Sequence, residues 1–168
     1  MDEGDDERYR AVADKLASAK RDAGNLAYVF DTLEALARAL VYKAPLGLKT
    51  RRFYKEGNKA ELEKLANGDY KTSIKLIEDF YKIFKKQWYK DNKGFGFEIQ
   101  AIRIGGLIRR LEDCREELLA YVNGEISEIE ELEAEIIEPV ASTPQPPLSD
   151  LCFNGYAQNV STSLLGFN

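Results

Sequence analysis

The sequence predicts an all-α fold: an antiparallel helical bundle of about five to six helices, then a Pro-rich linker and a short extended C-terminal tail. Three observations carry this. Apolar residues recur at steps of three and four through 25–43, 69–90 and 92–123, the period of an amphipathic helix. The connections between these stretches are short, which suits antiparallel neighbours. Pro139, Pro144, Pro146 and Pro147 then crowd a segment that cannot continue a helix. The boundary falls there, with a bundle over 1–138 and the linker and tail over 139–168, docked on the bundle or on a neighbouring chain.

Taken in order, residues 5–20 form a first helix with Tyr9, Val12, Ala13 and Leu16 on one face. Its acidic start, Asp5-Asp6-Glu7, complements the positive end of the helix dipole. Residues 25–43 form the next, with Leu26, Val29, Leu33, Leu36 and Leu40 as the buried stripe, widened by Phe30, Ala37 and Val41. Pro45 is expected to kink or end it. Leu48–Lys55 turns helical again and carries a basic cluster of Lys49, Arg51, Arg52 and Lys55, read first as a solvated face. Asn58 and Glu61 form an N-cap and capping-box acid for a short helix over 59–66, which Asn67-Gly68 should stop. From Asp69 to Lys90, the row Tyr70, Ile74, Ile77, Tyr81, Phe84 and Trp88 marks the cleanest helix.

The stretch Asn92–Asn123 organises the rest. A glycine-punctuated aromatic turn, Gly94-Phe95-Gly96-Phe97, leads into a long helix with Ile104, Ile108, Leu111, Leu118 and Val122 on its apolar side. Gly105 and Gly106 sit side by side well inside it. Each glycine costs a helix interior about 1 kcal/mol relative to alanine, so close backbone approach by a neighbour is expected there. Asn123-Gly124 stops the helix, and 126–138 forms one more, rich in glutamate. Those glutamates read as solvated charge, with no nucleophile or metal partner near them in sequence.

Composition narrows the function. A chain of 168 residues, 44% hydrophobic and 32% charged, has room for one domain with a real core. A net charge of −5 argues against nucleic-acid and anionic-membrane partners. No apolar run approaches the roughly 20 residues that span a bilayer. Residues 1–8 are acidic and show no secretory signal. There is no histidine, and Cys114 and Cys152 have no metal spacing and read as reduced thiols. Gly94-Phe95-Gly96 is too short for a dinucleotide fingerprint, and neither a phosphate loop nor a nucleophile elbow occurs. The residues alone give a helical module that supports or binds something, without catalytic residues, metal or cofactor.

The run Asn92–Arg110, Asn-Lys-Gly-Phe-Gly-Phe-Glu-Ile-Gln-Ala-Ile-Arg-Ile-Gly-Gly-Leu-Ile-Arg-Arg, resembles a signature of bacterial β-N-acetylhexosaminidases of glycoside hydrolase family 20. The similarity is to the helical C-terminal region of the intracellular type. It extends through Leu36–Leu40, Lys43–Arg51, Tyr54–Gly57 and Gln87-Trp88, and onward through Cys114-Arg115, Leu118–Tyr121 and Glu131–Glu133. The resemblance implies a cytoplasmic protein whose parent removes terminal β-linked N-acetylhexosamine by substrate-assisted chemistry, with an Asp-Glu pair on a (β/α)8 barrel. A barrel needs about 250 residues of alternating strand and helix, so that pair lies outside this chain.

The resemblance further implies that these helices pack on the barrel and help to build a homodimer near the active-site mouth. Gly105 and Gly106 then serve a close contact, and Arg103, Arg109 and Arg110 pair with acids across it. Trp88, Lys93 and Phe95 rim an N-acetylhexosamine pocket. The alternatives are a carbohydrate-binding module using Trp88 and nearby tyrosines, or a free-standing helical interaction domain. Local readings stand beside these: a tight helix crossing for the glycines, surface charge for the arginines, a core aromatic for Trp88.

Overall fold

The computed structural model describes residues 5–134, and every element in that span is helical. The order is α1 (Asp5–Ala19), two short 3-10 turns, α2 (Ala27–Lys55), α3 (Lys59–Leu65), a π turn (Ala66–Tyr70), α4 (Lys71–Asp91), α5 (Phe97–Asn123) and α6 (Glu130–Glu133). α2 lies between α1 and α4, while α5 packs on α3, the π turn and α4. The Pro-rich linker and the tail lie outside the described residues.

The main core gathers Ala39, Leu46 and Tyr54 of α2, Leu62 and Leu65 of α3, Tyr70, Ile77 of α4, Leu111 and Leu118 of α5, and Ile129. Leu118 and Leu62 are fully buried. A second cluster closes the other end of α4. Phe84 and Trp88 meet Phe97 at 5.9 and 5.8 Å, with Tyr81 and Tyr89 also against that ring. Phe97 is buried, so the first residue of α5 anchors the aromatic turn to α4.

Several sequence expectations are corrected. Pro45 does not end its helix: α2 runs through it to Lys55, and Pro45 is itself buried. Buried side chains on both sides, Ala39, Val41, Leu46, Thr50 and Tyr54, hold the helix together across the missing hydrogen bond. Nor does Asn67-Gly68 stop a helix. Leu65, Ala66, Tyr70 and Lys71 all keep right-handed dihedrals, so α3 passes through the π turn into α4 without reversing. The Arg115 guanidinium donates from Nε to the Ala66 carbonyl at 3.0 Å, a polar partner from α5 at that wide turn.

The leucine stripe of α2 is rotated out. Leu26 and Leu36 are exposed and Leu33 is 44% exposed, whereas Ala37 and Val41, expected to widen that stripe, are buried as expected, together with Ala39 and Leu46. Smaller residues let α1 and α4 approach α2 on either side, leaving Leu26, Leu33 and Leu36 open to solvent. Val12 of α1 is likewise exposed, and Ala13 is the fully buried residue of its helix. Of the helix expected over 126–138, the described residues hold only the turn α6, with 126–129 outside it; residues 135–138 lie outside the described residues. Ile129, expected on the apolar face of that helix, is its extended N-cap and is buried in the main core.

Two local devices behave as their chemistry requires. Asn58 caps α3, its Oδ1 accepting the Glu61 amide at 3.2 Å, although the Glu61 carboxylate turns to Lys64 at 2.5 Å instead of closing the capping box. α5 ends in a Schellman motif: the Glu125 amide donates to Ala120 and the Gly124 amide to Tyr121, with Gly124 at φ 78°. Ser73 is the exception to satisfied polarity among the described residues. It is fully buried, and its Oγ has no hydrogen-bond partner. An unpaired buried hydroxyl costs about 1–3 kcal/mol, so Ser73→Ala should raise chemical-denaturation stability by about 1 kcal/mol. A loss of stability would mean that the hydroxyl is bonded after all.

Candidate functional site

The outer face of α5 lies opposite its core stripe of Ile104, Ile108, Leu111, Leu118 and Val122. Helical periodicity puts Ile102, Gly106, Arg109 and Asp113 along its centre, with Gly105 beside them. Ile102 is 53% exposed, and Leu107 is exposed further round the helix. A Cβ built on Gly105 or Gly106 meets nothing within 4 Å. The tight helix crossing expected at the glycines is therefore absent among the described residues. Neither glycine has a positive φ, so no backbone conformation requires them.

The arginines divide. Arg109 pairs with Asp113 at 2.5 Å and Glu112 at 3.5 Å on its own helix. Arg110 pairs with Glu131, tying the segment after α5 to the bundle. Arg103 is exposed and has no ion pair or hydrogen bond among the described residues. The basic cluster near the end of α2 is largely engaged: Lys49 holds Asp69 at 3.0 Å, Arg51 donates to the Glu131 carbonyl, and Arg52 lies over Phe53.

At the other end of α5, the aromatic turn is built on glycine. Gly96 has φ 94°, a conformation that disfavours side chains, and the Glu98 carboxylate accepts its amide at 2.7 Å. Trp88 is half-buried between Phe84 and Phe97, and its indole N–H donates to the Lys93 carbonyl at 3.0 Å. This is the geometry of a core aromatic that staples the turn. The open rings are Phe95, 75% exposed, and Tyr89, 55% exposed. Tyr89 lies against the turn that carries Phe95: a Cβ on Gly94 would come within 3.0 Å of the Tyr89 ring, which also meets Phe97. Lys93, in the same turn, is exposed. Tyr89 was missing from the sequence candidates because it falls off the apolar stripe of α4; its position one turn before Lys93 is the signal that could have found it.

Tyr54 joins α2 to the segment after α5 through two hydrogen bonds. Its hydroxyl accepts the buried Ile129 amide at 3.0 Å and donates to Glu133 at 2.6 Å. Burial and the Glu133 carboxylate both push the phenol above its usual pKa. An open cavity of about 690 Å³ lies alongside, lined by Arg51, Tyr54, Lys55, Tyr121, Glu128 and Glu133 among others. A smaller one of about 150 Å³ runs past Gly47, Thr50, Tyr70, Cys114 and Leu118.

Cys114 is half-buried and free. Burial raises its thiol pKa, against an opposing pull from Arg110. A raised pKa leaves less thiolate at neutral pH. In a Cys152→Ser background, iodoacetamide labelling at pH 7.5 should therefore be slower than for free cysteine and should climb with pH beyond 9. Faster labelling than free cysteine at pH 7.5 would contradict the burial.

No group of three or more Cys, Asp or Glu side chains is gathered as a metal would require among the described residues. No helix there is long and apolar enough to cross a membrane. No curated protein matches the chain significantly. A family model does: the glycoside hydrolase 20C C-terminal domain, over residues 3–148. The match takes in the bundle, the glycine face and the aromatic turn, and with it the chain belongs to the C-terminal domain family of the 20C glycoside hydrolases.

Proposed function

We propose that the chain is a non-catalytic accessory domain of a β-N-acetylhexosaminidase, docking on the catalytic barrel and supporting homodimer formation through the outer face of α5. The observation that carries this is the pair Gly105-Gly106, facing open space at mid-helix. Together they cost α5 about 2 kcal/mol that nothing in the described chain offsets. A helix or loop of the barrel, or of a second subunit, could approach this backbone to contact distance, with Ile102 as the apolar neighbour and Arg103 as the unspent cation. Membership of a glycoside hydrolase family supports a barrel as the partner.

The test combines association and turnover. Purified chain alone should leave p-nitrophenyl N-acetylglucosaminide unhydrolysed. It should bind a 20C catalytic barrel in sedimentation, and Gly106→Leu should weaken that binding without unfolding the chain. Turnover by the chain alone, or binding untouched by Gly106→Leu, would refute the proposal. A sugar-contacting role near the barrel mouth is a second reading, favoured by the exposed ring of Phe95.

A further inference from the structure

The outward face of α4 is a row of ammonium groups on a chain that is acidic overall. Lys71, Lys75, Lys82, Lys85 and Lys86 lie along one side at helical spacing, all exposed, with Glu78 interrupting them. Lys71 and Lys75 share a groove with Arg109 and Arg115 of α5 as well as Glu78, Glu112 and Glu116, so acids offset most of the charge at that end. The distal half is less compensated. Lys82 reaches Asp79 at 3.6 Å, but Lys85, Lys86 and Lys93 have no ion pair among the described residues. Lys90 lies over the Tyr28 ring, and Asp91 is taken by the Tyr28 hydroxyl at 2.6 Å. Tyr89 continues the row at helical spacing and is exposed, and Phe95 is exposed in the turn that follows α4.

We propose that this lysine row, with Tyr89 and Phe95, is a binding surface for an acidic oligosaccharide, one bearing carboxylate or sulfate groups. The inference deepens the accessory-domain reading and rests on the chain's membership of a glycan-processing family. Net charge does not veto it, because screening beyond about 8 Å at physiological salt leaves the local cations to set the potential a ligand meets. Successive turns of α4 repeat every 5.4 Å or so, close to the length of one β-linked pyranose unit, so ammonium groups one turn apart can follow the anions of an extended saccharide. Exposed aromatic rings at the end of the row present flat apolar faces to the C–H faces of a sugar. A nucleic acid would use the cations but has no need of a glycan-processing scaffold.

The full chain is titrated calorimetrically with a chondroitin sulfate hexasaccharide, with neutral chitohexaose, and with a single-stranded DNA dodecamer, at low and physiological salt. The sulfated sugar should bind at least tenfold tighter than chitohexaose. Lys85→Glu/Lys86→Glu should weaken it tenfold or more, Phe95→Ala severalfold, and added salt should weaken it further. Circular dichroism and melting should show all variants folded, since the substituted positions are exposed. Equal affinity for the sulfated and neutral sugars, no effect of Lys85→Glu/Lys86→Glu, or DNA binding as tight as the sugar and indifferent to Phe95→Ala would each overturn the proposal. So would a dimer of the chain alone that dissolves in the lysine variant, which would assign the row to a second copy. Barrel docking is scored separately: Gly106→Leu should leave sugar binding intact, and the lysine variant should leave barrel binding intact.

Discussion

The double variant Gly105→Ala/Gly106→Ala is expected to be more stable than the natural chain by about 2 kcal/mol, and to dock worse. Both glycines sit in the helix interior, neither has a positive φ, and added methyls meet nothing within 4 Å. Removing their backbone entropy should thus stabilise the free domain, as glycine replacement does wherever the native conformation accepts a side chain. The same methyls would hold a partner's backbone off the helix. Gly106→Leu, with a far larger side chain, should cut association with a catalytic barrel tenfold or more, a loss of at least about 1.4 kcal/mol, while the variant still melts no lower than the parent. Urea unfolding and sedimentation of the same samples separate the two effects. Destabilisation of the isolated chain by the alanine pair would reveal an internal contact and remove the main support for a docking face.

The second large effect is in the core. Leu118→Ala should cost about 3 kcal/mol, within the 2–5 kcal/mol usual for burying an alanine in a leucine site, and lower the melting temperature by roughly 10 °C. Leu118 is 1% exposed and belongs to the cluster that joins α2, α3, α4 and α5. Leu107, on the same helix but partly open to solvent, provides the control: Leu107→Ala should change stability by no more than about 0.5 kcal/mol. Similar losses from both would mean that the helix is rotated about its axis.

Much of this architecture was legible in the residue pattern. The heptad-like rows of α4 and α5 fixed their type, and Gly124 and Asn58 marked ends that the hydrogen bonds uphold. Punctuation misled where tertiary packing overrode it: Pro45 and Asn67-Gly68 both lie inside continuous helix because buried side chains flank them. The stripe of α2 misled for another reason. Period alone finds an apolar row but does not say which row faces a neighbour, and here Ala37 and Ala39 permit the close approach while Leu26, Leu33 and Leu36 stay outside. At the candidate site, the sequence picked out the glycines, but only atomic geometry showed that the space over them is open. The sequence names Phe95 as a rim residue, but the exposure of its ring and of Tyr89 emerges only from the fold, since exposure of an aromatic cannot be read from its spacing.

The wide turn between α3 and α4 carries a consequence for inheritance. Leu62, Ala66, Tyr70, Ser73 and Ile77 are all buried across four turns, a separation of 77 − 62 = 15 residues. An uninterrupted α-helix would use about 14.4, and the looser winding at 66–70 absorbs the excess. Loss of a single codon in that stretch would leave about 14 residues, which a regular helix winds through about 1,400°, so the turn could tighten and the lysines and aromatic turn would swing by only about 40°. Descendants of this gene are therefore expected to tolerate a one-residue deletion there better than an insertion, which the already loosened winding has no slack to absorb.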